Sequence, residues 1–264
     1  MTMAVPVDPL IPLLLDAANK YHLKVCFHIE PYKERNTANL RKYLAYIMTR
    51  YGNHPAFYRR QVGGVGRALP VYYIYDSYLV PAEDWALLLR GTSSVRHTEL
   101  DAVFIGLLVE SRHQAEILSS GFDGFYTYFA SSGFTYGSTP HNWQALASFA
   151  AGNHLLFVPS VGPGYVDTAV RPWNGRSTRP REEGAYYERS WQAAVEVHPP
   201  VISVTSFNEW HEGTQIESAS SQTAHGERNY LSYLPHQPDR YLKLTNKWIG
   251  LYRKLCNTSS RSLH

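Results

Sequence analysis

The chain has 264 residues, 25 basic and 22 acidic side chains, a formal net charge of +3, and 44% hydrophobic residues. This is ordinary globular composition, which excludes a disordered chain. The basic residues form no arm or tail of the kind that grips nucleic acid, so no nucleic-acid partner is expected.

The length suits one large domain or two small ones, with room for a sizeable core. Tyrosine stands out at 20, beside 6 tryptophans and 12 histidines. Aromatic rings with polar tips suit stacking against sugars, and equally suit a tyrosine-rich core and rim. Of the two cysteines, Cys26 sits in an apolar run and reads as a buried free thiol. With Cys256 so far away, the pair says little about redox compartment, and no zinc spacing is present. A single glycosylation triplet, Asn257-Thr258-Ser259, is of a kind that arises often by chance.

The chain opens on MTMAVPVDPLIPLLLDAANKYH. This stretch is too short and too charged to span a bilayer, and no basic residue precedes its apolar part as in a signal peptide. It reads as an amphipathic helix from Pro9, with Asp8 as N-cap and Pro9 at the first helical position.

Six segments then read as buried strands: LKVCFHIE (23–30), PVYYIYDS (70–77), DAVFIGLLV (101–109), GFDGFYTYF (121–129), HLLFVPSV (154–161) and VISVTSFNE (201–209). Most are near-continuous apolar runs, as in a parallel sheet covered on both faces. Helical patterns lie between them at 36–51, 81–89, 112–119, 141–151 and 182–197, and another closes the chain at 240–255. Strand alternating with helix predicts βαβ units and a parallel sheet.

Loops entering the strands are short. Those leaving them are long, polar and aromatic, as in a (β/α)8 barrel whose chemistry gathers at the C-terminal ends of the strands. A doubly wound open sheet also collects loops there, but its glycine-rich phosphate turn is missing. The expected fold is therefore α/β, a TIM-type barrel formed as one domain over 1–264. With six strands of eight, and a helix first, the barrel is expected to be incomplete, lacking its first two strands.

The densest chemistry is SFNEWHEGTQIE (206–217). The strand before it delivers Asn208 and Glu209 to the mouth of the barrel, and Glu212 follows three residues later. Two carboxylates flanking one bond are the basic equipment of glycoside hydrolysis, one giving a proton to the leaving oxygen and the other receiving or directing the nucleophile. Other strand ends offer His28, Glu30 and Tyr32; Asp76 and Tyr78; Tyr126 and Tyr128; and Tyr165, Asp167, Arg171 and Trp173. Each has a plainer reading: His28 as a satisfied core histidine, Asp76 as a helix cap, Arg171 with Asp167 as a loop staple. Together they form a pocket suited to a polyhydroxyl ligand.

HEGTQ begins like the zinc helix H-E-x-x-H, but Gln215 takes the place of the second histidine, so no zincin is expected. His28, Glu30, Asp76 and Glu209 could ring a divalent metal, though nothing in the sequence fixes such a geometry. No G-x-S-x-G and no P-loop occurs.

The motifs SFNEWHEGTQIE, FHIEPY, YGNHPAFY, GFDGFYTYFA, FVPSVGPGY and RPWN, in this order, closely resemble the glycoprotein endo-α-1,2-mannosidases of glycoside hydrolase family 99, most of all their endomannosidase-like branch. The resemblance covers almost the whole chain. It implies a Golgi enzyme, usually membrane-anchored, that cuts an internal α-1,2-mannosidic bond in glucosylated high-mannose N-glycans without a cofactor or metal. It implies a retaining mechanism in which Glu209 deprotonates the sugar's own 2-hydroxyl, giving a 1,2-anhydro intermediate, while Glu212 serves as acid and then base. It makes Glu209 and Glu212 catalytic and Tyr126, Tyr128, Arg171, Asn208, His28 and Glu30 substrate contacts; Tyr32, Asp76, Tyr165 and Trp173 join them as expected substrate contacts from the reading of the strand ends. This chain departs from the pattern at its front, where an anchor, a stem and two barrel strands are expected. The second expectation is accordingly a truncated, catalytically inactive form that at most binds glycan.

Overall fold

The computed structural model describes residues 8–62, 66–92, 94–219 and 232–261, with side chains to 256. The described residues up to Leu107, with Arg112–Phe125, form one compact unit; Leu108–Ser111 and the described residues from Tyr126 onward form a second.

The first unit opens with a 3-10 turn, Asp8–Leu10, and helix α1, Ile11–Lys20. This corrects the expected start. Asp8 caps nothing; its carboxylate accepts hydrogen bonds from Tyr46, at 2.6 Å, and from Tyr51, both on α2 (Thr37–Tyr51). The bond from Asn39 N–H to the Asn36 side chain, at 2.9 Å, caps α2 instead.

Strand β1 (Phe27–Ile29) pairs in parallel with β3 (Ala68–Ile74), with Phe27 opposite Tyr72. β3 pairs in parallel with β4 (Val103–Leu107). The short strand β2 (Arg59–Gln61) lies antiparallel along the start of β3. It was not expected, because Arg-Arg-Gln carries no apolar signal and its pairing supplies only backbone bonds. Helices α3 (Ala82–Leu89) and α4 (His113–Ser120) complete the βα repeats, and β5 (Gly124–Tyr126) is where the chain leaves this unit.

All five residues of β4 are buried. That is why this segment read as a continuous apolar run: a parallel strand covered on both faces has no polar alternate positions. Leu40 and Leu44 of α2 and Trp85, Leu88 and Leu89 of α3 are buried as well. At the entry to β4, Arg96 bonds Asp101, Asp123 and the carbonyls of Leu89, Ala102 and Gly121, and its guanidinium lies 5.4 Å from the Phe104 ring.

The second unit holds α5 (Trp143–Gly152), β6 (Leu156–Val158), β7 (Ser160–Val161), α6 (Ala185–Glu196), β8 (Ser203–Val204) and α7 (Arg240–Arg261). β7 and β8 are parallel, with Ser160 opposite Ser203. The expected strand 154–161 is split at Pro159, which has no N–H to donate. The expected strand 201–209 is paired only at Ser203–Val204. Beyond Thr205 the backbone bonds to its own loop, Ser206 N–H donating to Thr214 O at 2.9 Å.

Phe104 is fully buried among rings and aliphatic chains, so Phe104→Ala should cost about 3–5 kcal/mol of stability. Urea denaturation would measure it, with an unchanged m-value showing that the loss comes from packing alone.

Candidate active site

The stretch 206–217 is a self-contained device. Its two ends are zipped together: Ser206 N–H bonds Thr214 O, Ile216 N–H bonds the carbonyls of Ser206 and Phe207, and Glu217 N–H bonds Phe207 O. The Ser206 and Thr214 hydroxyls are 2.7 Å apart, and Ser206 Oγ accepts from Glu209 N–H at 2.8 Å. The tip is a single 3-10 turn, Trp210–Glu212, entered from Glu209. Glu209 precedes the turn and Glu212 closes it, near enough that the Glu209 charge raises the Glu212 pKa.

Gly213 ends the turn with φ +62°, and a Cβ there would lie 2.5 Å from Val166 Cγ1. Gly213→Ala should therefore destabilise by at least the 1–2 kcal/mol or so of left-handed strain, with further loss from displacing Val166, readable as a lowered denaturation midpoint.

A second loop, 162–184, docks on this turn. Tyr165 and Arg179 form an antiparallel bridge that closes the loop, and Val166 N–H donates to Glu212 O at 2.9 Å. Arg171 N–H bonds Asp167 O at 2.7 Å, one helical turn apart, which places both side chains on one face. The Arg171 Nη1 nitrogen then donates to Asp167 Oδ2 at 3.0 Å and to Glu212 Oε1 at 3.1 Å. Tyr165 OH and Asn174 Nδ2 also donate to Asp167 Oδ2, each at 2.9 Å.

Asp167 is 0% exposed. Burial alone would raise its pKa, but bonds from Asn174, Arg171 and Tyr165 hold the carboxyl below its usual range. Glu212 is half-buried, at 23% side-chain exposure. Burial raises its pKa; Arg171 pulls it down without cancelling the rise, and Glu209 and Asp167 add to it. Tyr165 is raised by burial first, then by its bond to Asp167 and the nearby Glu212 charge.

Arg181 was not anticipated. It donates to the carbonyls of Gly213 and Gln215 at 2.9 and 2.7 Å and lies 4.5 Å from the Tyr241 ring centroid. It therefore clamps the far limb of the glutamate turn. Nothing in the sequence marked it, because its partners are carbonyls and any residue supplies those.

The structure brings Tyr165, Arg171 and Glu212 together directly, with Asp167 at their centre. Glu209 and Asn208 stand exposed on the same turn. Trp173, at 81% exposure, points into solvent and joins none of these contacts. Tyr126 is buried, its ring 6.3 Å from Tyr128. Tyr128 is held in a left-handed conformation by bonds from its N–H to Ser160 Oγ and from Thr205 Oγ1 to its carbonyl.

Within the first unit, His28 is not a core histidine. It is exposed at the end of β1, paired with Glu30 at 2.9 Å and against Tyr75 at 5.3 Å. Asp76 is not a helix cap; it adopts φ +47° and accepts from Tyr78 OH at 2.8 Å. Arg35 holds that bend through the carbonyls of Tyr75 and Asp76. Tyr32 packs its ring 4.7 Å from Tyr43 of α2 with its hydroxyl buried, and burial pushes its pKa to about 12.

A cavity of about 430 Å³ lies on the Trp210–His211 side of the turn, lined also by Tyr165, Val166, Pro180 and Arg181; neither Glu209 nor Glu212 lines it. Among the described residues, no group of three or more His, Cys, Asp or Glu is arranged to hold a metal ion, and no helix is long and apolar enough to cross a membrane.

Strand-to-helix repeats, with two carboxylates just beyond the last strand, define an α/β protein. Residues 5–254 match the model of glycosyl hydrolase family 99, and the chain belongs to that family. It is 54% identical over 251 residues to a glycoprotein endo-alpha-1,2-mannosidase-like protein of Danio rerio, covering 94% of this chain and 56% of that protein. It is also 54% identical over 250 residues to glycoprotein endo-alpha-1,2-mannosidase of Mus musculus, covering 94% of this chain and 54% of that one. The chain thus spans about half the length of the curated relatives it matches. Among solved structures, the GH99 endo-alpha-mannosidase of Bacteroides thetaiotaomicron superposes with a TM-score of 0.87 at 48% identity, covering 92% of this chain and 70% of that one. The fold class is the α/β, TIM-type barrel class expected, and the described residues hold a mostly parallel six-stranded sheet and the β7–β8 pair.

The depressed pKa of Asp167 links to stability with a definite sign. Its contribution is present above the ordinary carboxylate value of 3.8 and is lost as pH falls through the lower folded value. Asp167→Asn should be destabilised most near neutral pH, and its gap to the parent should narrow below about pH 4, as denaturant titrations across pH would show.

Proposed function

We propose that this chain carries the catalytic carboxylates of an endo-acting α-1,2-mannosidase whose substrate is a glucosylated high-mannose N-glycan, working in the Golgi lumen. The observation that carries the reading is the placement of Glu212 at the end of the 3-10 turn that Glu209 enters, half-buried and bonded to Arg171, with burial raising its pKa. A carboxyl whose pKa is raised by burial is suited to donate a proton.

In the reaction so proposed, Glu209 takes the proton from the 2-hydroxyl of the mannose to be cleaved. The freed oxygen attacks C1, the C1–O bond to the leaving sugar breaks, and Glu212 gives that oxygen its proton. Water then opens the 1,2-anhydro ring at C1, losing a proton to Glu212 while Glu209 returns one to O2. Two inversions at C1 give net retention. Arg171 and Tyr165 stand beside Glu212 as hydroxyl partners, and His28, Glu30, Tyr32, Asp76, Tyr126, Tyr128, Trp173 and Asn208 are assigned to substrate as part of the same proposal.

A second reading is favoured by one observation. Asn208 and Glu209 are open to solvent, whereas a base working on a sugar hydroxyl gains from a dry site. On that reading the chain binds glycan without turning it over.

Release of glucosyl-mannose from a glucosylated high-mannose glycan tests the first reading. Glu212→Gln and Glu209→Gln should each lower release by roughly 10²–10⁴-fold, the usual scale for a lost acid or base. The parent rate should fall as pH rises through the Glu212 pKa. A folded parent that binds the glycan and releases nothing would establish the second reading.

A further inference from the structure

Asp167 has no role in the reaction just described, yet it is buried and heavily hydrogen-bonded beside the glutamate turn. Three side-chain donors converge on its Oδ2, and its Oδ1 is buried without a partner. A loop staple needs only hydrogen bonds. This site does something more, because one nitrogen of Arg171 serves two carboxylates: Nη1 carries two N–H bonds, one reaching Asp167 and the other Glu212.

Charge balance gives the arrangement its meaning. Asp167 and Arg171 together sum to zero. With Glu212 protonated, the trio is neutral; with Glu212 ionised, it carries one net negative charge in a half-buried place. Without Asp167, Arg171 would stand as an uncompensated cation 3.1 Å from Glu212 and would fix it as an anion.

We propose that Asp167 is a positioning residue for Glu212: by taking one of the two N–H bonds and the charge of Arg171, it leaves Glu212 oriented by the arginine yet free to carry a proton. The proposal rests on the reading of Glu212 as the proton donor. The other titratable groups facing Glu212 are Glu209 on its own turn and Tyr165 on the docked loop. Glu209 acts in the same direction as Asp167, and neutral Tyr165 contributes no charge, so neither replaces Asp167 as the counter-charge to Arg171. The known directions agree: Arg171 lowers Glu212, Asp167 raises it, and burial prevails.

The test follows the Glu212 proton itself. Glutamate carboxyl carbons are labelled with ¹³C, the Glu212 signal is assigned by its loss in Glu212→Gln, and the full chain is titrated. In Asp167→Asn the Glu212 midpoint should move down by about one unit, the scale on which a neighbouring charge acts. An unmoved or raised midpoint in a folded Asp167→Asn protein would overturn the proposal.

Tyr165→Phe guards against a variant that does not fold. It removes one donor from Asp167 and leaves the charge, so Asp167 leans harder on Arg171 and the Glu212 midpoint should rise. A midpoint that stays or falls in that variant also overturns the proposal. A purely structural role for Asp167 would change the melting transition and leave both midpoints in place. Because the titration needs no turnover, it is separable from the underlying reading: Glu212→Gln with undiminished glycan release would sink Glu212 as the acid, whatever the midpoints do.

Discussion

The glutamate turn depends on one guanidinium held between two carboxylates. Arg171 reaches Asp167 on its own loop and Glu212 on the next, and with Val166 and Arg181 it ties loop 162–184 to the turn after β8. Burying a carboxylate such as Asp167 is costly unless its lone pairs are filled, and removing one partner of a buried pair leaves the other uncompensated. Here the filling is done by three side chains spaced along one loop, Tyr165, Arg171 and Asn174. The loop's conformation and the Glu212 environment are therefore one problem with one solution. Loosening the loop would release Arg171, and with it the orientation of Glu212.

The turn itself is braced from its other limb. Arg181 bonds the carbonyls of Gly213 and Gln215 and stacks against Tyr233 and Tyr241, which ties the turn to the base of α7. The zipper between 206–207 and 214–217 consumes backbone groups that a longer β8 would have offered to a neighbouring strand. This is the physical reason β8 is only two residues long. The chain exchanges strand pairing for a rigid platform that presents two carboxylates.

The environments of the two glutamates differ. Glu212 faces a docked loop and is partly withdrawn from water, whereas Glu209 stands open. The exposed Phe207, just before the turn, and Trp173, on loop 162–184, are apolar faces of the type that sugar rings stack on. The cavity beside Trp210 and His211 is bordered by Tyr165 but by neither carboxylate.

Much of this was legible in the sequence. Every segment that read as a buried strand contains a strand, and where the run is continuously apolar, as in β4, it is buried on both faces. The placement of Glu209 and Glu212 just past a strand was legible too. The short strand Arg59–Gln61 was not legible, because a strand held only by backbone bonds leaves no side-chain pattern. The start of α1 was misread because Asp8, well suited to cap locally, is drawn to two tyrosine hydroxyls some forty residues away. Tyr32 and Trp173 carried the right chemistry for a sugar site, yet one hydroxyl is turned inward against α2 and the other ring stands alone in water. Sequence by itself determined the main alternation of strands and helices and the family, both of which rest on local pattern and residue type. Only the tertiary structure decided that Asp167 sits buried behind Arg171 and that Glu212, not Glu209, is the carboxyl kept from water. Burial and shared hydrogen bonds are properties of what the fold brings from elsewhere, and spacing along a chain carries no record of them.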